Sequence, residues 1–341
     1  MSTAIVILNW NGEKYLQQFL PVLIEHTTQP GVEIIVADNA STDSSLSILN
    51  DKFPTIRTII LDKNYGFAGG YNKALAQVEA DYFVLLNSDV EVTPGWLNPL
   101  LEYMNSHDEA AACQPKILSY ANRSEFEHAG AAGGYIDRFG FPFCRGRVLG
   151  VAEVDRGQYD SITDIFWATG ACFLIRSTLY NRVGGLDDEF FAHMEEIDLC
   201  WRLKSRGYRI ACIPESSVFH VGGGALNYES PHKTYLNFRN NLLMLYKNLP
   251  ARLLEDTMRW RKVFDYAAAF QLFITGKPKN AFSVFKARRD FKSMLPSFAE
   301  KRKQNILFAT SDNKPDIFQK SIVLEYYLKG KKTYQALTGK N

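Results

Sequence analysis

Cysteine is scarce and unpatterned in this 341-residue chain: Cys113, Cys144, Cys172, Cys200 and Cys212 are odd in number and form no C-x-x-C pair. A disulfide framework and a cysteine zinc site are therefore not expected, and a reducing compartment is the simpler reading. No run approaches the roughly 20 apolar residues of a membrane span, so any membrane contact should be peripheral. No signal peptide is expected either, because TAIVILNW begins almost at once, has no basic residues before it and runs into Asn11 and Gly12. The net charge is only +2; it says little about partners, and no nucleic-acid partner is expected. Also missing are a Walker loop with its Gly-Lys-Ser/Thr and a G-x-G-x-x-G turn after the first strand, which argues against a nicotinamide-binding unit. Internal repeats and low-complexity tracts are absent. A cytoplasmic location, reaching the inner face of the plasma membrane, is the expectation.

What is present is ordinary globular composition, with 46% apolar and 22% charged residues. The charge is unevenly placed: residues 247–305 hold 14 Lys/Arg against 5 Asp/Glu. A mildly acidic body over residues 1–250 is thus distinguished from a basic helical extension over residues 251–341. Basic and aromatic, that extension suits either a peripheral membrane contact or a solvated tail or homodimer contact.

The first ninety residues alternate strands with helices. AIVILNW (4–10), VEIIVADNA (32–40), TIRTIILD (55–62) and DYFVLLNSD (81–89) read as strands. Helical patterns lie over 13–26, after the Ser/Thr/Asp cluster at 41–45, and over 69–80. Continuous apolar strands with helical crossovers imply an α/β fold with a mostly parallel, Rossmann-like sheet covered on both faces. Residues 119–165 read as loops and short strands, 164–177 as a strand, 187–207 as a helix, 208–216 as a strand and 233–249 as a helix. Ligands of such sheets bind beyond the carboxyl ends of the strands. Asn9, Asn11, Asp38, Asn64 and Asp89 sit there.

Each polar candidate has two readings. Asp89, closing LLNSD, can hold a divalent cation through a hard oxygen ligand or cap the next turn. Asp38 can accept the ring N–H of a pyrimidine or cap the following helix. The loop NYGFAGGYNKAL (64–75) lets a backbone approach closely and feeds a helix N-terminus that favours negative charge. Glu195, Glu196 and Asp198 crowd one helical turn; mutual repulsion and burial would raise a carboxyl pKa and suit it to take a hydroxyl proton. Asp198 instead reads as an i,i+4 ion pair with Arg202. His220 can share a cation with Asp89 or be structural, and Arg239 can clasp a diphosphate or sit in a surface ion pair.

Seven segments in order, IVILNWNG, ADNASTDSS, NYGFAGGYN, LLNSDV, WATGACFLIR, GGLDDEFFAHMEEIDLCWR and FHVGGG, resemble glycosyltransferase family 2 enzymes of the GT-A fold, and bacterial rhamnosyltransferase-like members most. The resemblance implies inverting transfer of a sugar from a nucleotide-diphosphate sugar, dTDP-rhamnose or a UDP-sugar, to a hydroxyl of a saccharide or lipid-linked saccharide. Cell-surface polysaccharide synthesis is the implied setting, and a non-catalytic nucleotide-sugar or carbohydrate-binding protein is the alternative. It implies that Asp38 recognises the base, that Asn9 and Asn11 pack around the nucleoside, and that Asn64, Gly66, Asn72, Ser88 and Arg239 line the donor site. Thr169 and Gly170 would fall at the donor–acceptor junction. Asp89 and His220 would bind Mg²⁺ or Mn²⁺, and Glu196, or its neighbour Glu195, would be the base. Two departures stand out: the D-x-D position reads Asn87-Ser88-Asp89, and the base is Glu where the family has Asp.

Overall fold

A computed structural model describes residues 1–222, 230–310 and 317–340. The alternating pattern becomes β1 (Thr3–Asn9), α1 (Glu13–His26), β2 (Val32–Asp38), α2 (Ser45–Lys52), β3 (Arg57–Ile60), α3 (Gly66–Leu75) and β4 (Tyr82–Asn87). β5 (Val90–Val92), α4 (Leu97–Ser106) and the long β6 (Ala110–Ser119) follow. The Gly- and aromatic-rich stretch folds into β7 (Gly134–Ile136), β8 (Pro142–Cys144), β9 (Arg147–Val148) and β10 (Val151–Ala152), a small antiparallel sheet of its own. Next come β11 (Thr163–Asp164), β12 (Cys172–Arg176), α5 (Ser177–Arg182), α6 (Glu195–Ser205) and β13 (Arg209–His220). The chain closes with α7 (Pro231–Asn248), α8 (Ala251–Ile274), α9 (Pro278–Leu307), α10 (Ile322–Lys329) and α11 (Tyr334–Thr338).

The main sheet runs β11-β13-β6-β12-β4-β1-β2-β3, with β5 added alongside β13. β3, β2, β1 and β4 are mutually parallel, β6 and β13 are parallel, and β12 enters antiparallel between β4 and β6. Alternation sends Ile5 and Ile7 of β1 to one face with Leu16 and Leu20 of α1 and Leu97 and Leu100 of α4. Ala4 and Val6 face the other side, with Tyr71 of α3, Trp201 of α6 and Leu242 of α7. Phe291 and Phe298 of α9, Ile322 of α10 and Tyr334 of α11 join that same cluster. The basic extension therefore closes over the second face of the sheet and shares its core.

All five cysteines are buried and unpaired. Two expected elements differ: the strand read over 164–177 is confined to Cys172–Arg176, because residues 165–171 leave the sheet after β11. The helix read over 187–207 starts only at Glu195, after a short 3-10 turn (Asp188–Phe190). Phe191, His193 and Met194 there have φ of 64°, 72° and 74°, left-handed backbone that branched-Cβ or bulky residues adopt only when neighbours enforce it.

Candidate active site

Adjacent strands bring the first polar residues together. Asn9 and Asp38 are register partners at the ends of β1 and β2, and Asn9 Nδ2 donates to Asp38 Oδ1 at 3.1 Å and to Ser41 Oγ at 3.2 Å. Asp38 Oδ2 accepts the Ser41 N–H at 2.9 Å. Asn11 (φ 50°) links the two turns: its N–H donates to Ser41 Oγ at 2.9 Å and its Oδ1 accepts the Thr42 N–H at 2.7 Å. A carboxylate has about four acceptor positions, so Asp38 retains capacity for a ligand N–H. Asn9 Oδ1 is buried without a partner. A Cβ on Gly12 would lie 2.3 Å from it, so only glycine fits there.

The third turn is organised by a residue the sequence did not single out. Buried Asn39 donates from Nδ2 to Asn64 Oδ1 at 3.1 Å and to the Gly66 carbonyl at 2.9 Å, and accepts the Tyr65 N–H at 3.0 Å. The glycine and helix that follow depart from expectation. The N–H groups of Phe67 and Ala68, the start of α3, donate to the Phe191 carbonyl at 2.6 and 3.2 Å, so a loop oxygen closes the helix end expected to face negative charge. Gly66 (φ 73°) makes room for that loop, since a Cβ would meet Phe191 Cδ2 at 2.5 Å. Asn72 also turns away from a donor role. Its amide engages the Tyr180 hydroxyl at 2.6 Å, the Leu186 N–H and carbonyl at 3.1 and 2.8 Å, and the Asp188 carboxylate.

Asp89 and His220 meet because β5 pairs with β13, His220 opposite Val90. Asp89 Oδ1 lies 3.1 Å from His220 Nε2, and Asn87 Nδ2 lies 3.5 Å from the same nitrogen. On the far side Glu127 Oε2 is 3.4 Å from His220 Nδ1. Burial alone would lower the imidazole pKa, but the Asp89 and Glu127 carboxylates raise it to about 10. An oxygen and an imidazole nitrogen suit a divalent cation, whose binding would displace the proton from His220 Nε2. Two neighbouring ligands of an octahedral ion at about 2.1 Å stand roughly 3.0 Å apart, close to the Asp89–His220 separation. Among the described residues no cluster of three or more His/Cys/Asp/Glu side chains surrounds one point, so phosphate oxygens and water would supply the other positions, as is usual for Mg²⁺. Glu127, 3.4 Å from the opposite ring nitrogen, stands where the outer partner of a metal-bound imidazole would stand. Ser88 faces the first turn, its Oγ 3.4 Å from where a Gly12 Cβ would stand. Residues 223–229 of the Gly-rich run after His220 lie outside the described residues.

Thr169 and Gly170 approach this corner from β12. The Ala171 carbonyl accepts the Asn87 N–H at 2.9 Å, which sets them beside the Asn-Ser-Asp turn. Thr169 donates its N–H to buried Gln114 Oε1 at 2.9 Å, and a Cβ on Gly170 would stand 2.9 Å from Phe67 Cζ. α6 reaches the same segment: Ala168 N–H donates to Cys200 Sγ at 3.4 Å. Glu196 lies one turn before Cys200, on the same helix face.

Glu195 is buried, Glu196 half-buried, and each keeps a carboxyl oxygen without a hydrogen-bond partner. Burial, then Glu196 and Asp198, push the Glu195 carboxyl well above the usual carboxylate range. Burial raises Glu196 to about 7, against the pull of nearby backbone N–H groups. Asp198 behaves as read, with Arg202 Nε at 2.9 Å, and Lys247 Nζ and Asn248 Nδ2 at 2.8 Å each. The Arg239 guanidinium, expected at a diphosphate, is spent on protein acceptors. It donates to the Glu189 and Phe190 carbonyls at 2.9 and 3.1 Å, to Asn240 Oδ1 at 2.9 Å and to the Tyr235 hydroxyl at 3.5 Å, leaving little of its five-donor fork. Neighbouring Asn240, also missed, donates at 2.8 Å to the carbonyls of Phe190, Ala192 and His193. These contacts hold the left-handed stretch that launches α6.

The family model described as Glycosyl transferase family 2 matches residues 4–183. The chain is similar to the N-acetylglucosaminyl-diphospho-decaprenol L-rhamnosyltransferase of Mycobacterium tuberculosis, 26% identical over 63% of this chain and 75% of that protein. It is likewise 26% identical to the rhamnosyltransferase WbbL of Escherichia coli K12, over 63% of this chain and 82% of the relative. Among solved structures, S. aureus TarS 1-349 with UDP-GlcNAc aligns with TM-score 0.57 and 15% identity over 90% of this chain and 89% of that one. GalNAc-T7 with UDP, GalNAc and Mn²⁺ aligns with TM-score 0.58 and 15% identity over 89% of this chain, which spans 57% of that protein. The shared architecture is a mostly parallel sheet flanked by helices.

Proposed function

The chain belongs to glycosyl transferase family 2 and is a glycosyltransferase, and from that premise we propose that it moves a sugar from a pyrimidine nucleoside diphosphate to an acceptor hydroxyl with inversion. The observation that carries the proposal is Glu196: a carboxyl raised to about 7, with one oxygen unpartnered, on the helix face that meets the segment beside Asp89. A base must be ionised at working pH yet basic enough to take a hydroxyl proton, and such a pKa meets both needs. Glu196 removes the acceptor proton as the hydroxyl oxygen bonds to the anomeric carbon. The bond from that carbon to the diphosphate oxygen breaks in the same displacement, so the configuration inverts. Asp38 receives the base N–H, and Asn9 and Asn11 shape the nucleoside edge. Asp89 and His220 would hold a divalent cation, which would neutralise charge on the departing diphosphate.

The relatives guide the choice of donor and acceptor. Two are rhamnosyltransferases, and one carries a lipid-linked saccharide in its name. A deoxythymidine- or uridine-diphosphate sugar as donor, a lipid-linked saccharide as acceptor, and surface glycan synthesis are the corresponding proposals here. The test is Glu196→Gln with Glu195→Gln beside it. Glu196→Gln should lose transfer by about 10²–10⁴-fold while still binding donor in a thermal-shift assay. Retention of most of the rate by a folded Glu196→Gln protein would remove the assignment, and a product of retained anomeric configuration would remove the single displacement.

A further inference from the structure

The hairpin of α8 and α9 is inside out for a water-facing element. Its inward side buries charge: Asp265 is fully buried with Arg261 Nη2 at 3.0 Å and Arg288 as a second partner. Its outward side carries Val263, Tyr266, Phe270 and Phe273 at helical spacing on α8, and Phe282 and Phe285 on α9. Phe270 and Phe282 are each 67% exposed. The rings of Tyr266 and Phe285 stack at 5.5 Å, so the two stripes form one surface. Exposed aromatic patches of this kind mark contact sites.

The charge around the patch says which contact. Residues 258–292 contain nine Lys/Arg, of which Arg261 and Arg288 are buried with Asp265, and only two Asp/Glu. Of the two acids, Asp265 is buried, and Asp290 is bonded to the Tyr235 hydroxyl at 2.9 Å and to Arg289 at 3.0 Å. Lys262, Lys279, Lys286 and Lys292 are exposed around the aromatic surface. A protein partner would be met by charges of mixed sign around its rim, whereas an apolar face ringed by cations matches the acyl and headgroup layers of an anionic bilayer. Among the described residues no helix is long and apolar enough to cross a membrane, so the hairpin would lie in the interface. We propose that the α8–α9 hairpin docks this enzyme on an anionic lipid surface.

The hairpin also packs on α7 and on the loop that leads into α6. Asn280 at the start of α9 donates to Thr234 Oγ1 of the first α7 turn at 2.8 Å, and Phe298 of α9 stacks on Phe190 with centroids 6.1 Å apart. Presentation of a lipid-linked acceptor at the membrane rests on the proposed function, but the docking itself does not.

The experiment is flotation of the full-length chain with phosphatidylcholine vesicles, with and without phosphatidylglycerol, together with light scattering in lipid-free buffer. The wild type should float with phosphatidylglycerol vesicles and should lose most of that binding in high salt. Phe270→Ser/Phe273→Ser should lower partitioning at least tenfold with unchanged melting temperature, because both side chains already face solvent. Lys262→Ala and Lys279→Ala should each lower it about fivefold. Failure of the wild type to float, or equal flotation of the Phe270→Ser/Phe273→Ser protein, would overturn the proposal. So would a lipid-free dimer that those serines convert to monomer, since the occupant would then be a second copy. Flotation does not require sugar transfer, so its outcome is independent of the Glu196 assignment.

Discussion

The side-chain amide of Asn240 donates to the carbonyl oxygen of His193 at 2.8 Å, and so governs where the helix bearing Glu195 and Glu196 begins. The same amide serves Phe190 and Ala192, and three residues of that loop hold left-handed backbone. Asn240→Ala would take the Asn240 donor from the Ala192 and His193 carbonyls at about 1–3 kcal/mol each, partly relieved as the loop relaxes. A stability loss of about 2–3 kcal/mol in urea unfolding is expected, with a larger fall in kcat than in donor affinity. A variant equal to wild type in both would show that the loop is held by other contacts.

Arg239 and Asp38 separate by kinetics. With its donors spent on the Glu189 and Phe190 carbonyls, Arg239→Ala should lower the melting temperature and kcat but leave the donor KM unchanged. Asp38→Ala should weaken donor binding by about 1–3 kcal/mol on the nucleoside diphosphate alone. A rise of donor KM in Arg239→Ala would restore the guanidinium to the diphosphate.

Acidity should cut activity at an unusually high pH for a carboxylate base. Glu196 must be ionised to accept a proton, and its carboxyl is raised to about 7, so kcat/KM should fall as pH drops through about 7. Stability runs the other way. A folded pKa above the unfolded value near 4.5 means that the folded state holds the proton more tightly, so this group's contribution is full below about 4.5 and is lost as pH rises through 7. Glu196→Gln should therefore melt higher than wild type at pH 8, with the difference vanishing near pH 4. An activity profile flat from pH 8 to pH 5 would remove Glu196 as the base.

Metal dependence can be read on the pair Asp89 and His220. Chelation should abolish transfer, Mn²⁺ should restore it, and Asp89→Asn or His220→Ala should raise the Mn²⁺ concentration required. Glu127→Gln, on the side of His220 away from Asp89, should weaken Mn²⁺ binding by about 10–100-fold. Full activity of the wild type after exhaustive chelation would end the metal reading.

Periodicity and strand-end chemistry determined much of this protein on their own. The first four strands, their crossover helices, and the gathering of Asn9, Asp38, Asn64 and Asp89 at one edge follow from continuous apolar runs and from the right-handed geometry that aligns parallel strand ends. The Asp198–Arg202 pair was equally legible, because i,i+4 spacing is local. What the pattern could not carry were contacts between residues far apart in the chain. Glu127 lies in a stretch without periodicity and reaches His220 only through the β6–β13 pairing. Asn39 and Asn240 act through amide hydrogen bonds that no spacing rule marks. Arg239 and Asn72 have the chemistry of donor ligands, but packing spends their hydrogen-bond capacity on protein. The start of α6 moved for a related reason: residues 187–194 have helical periodicity, but Arg239, Asn240 and the close approach of α3 supply hydrogen bonds that an unbroken helix would forfeit. Local chemistry chose which residues stand at the sheet's edge; tertiary hydrogen bonding decided which of them remain free to meet a substrate.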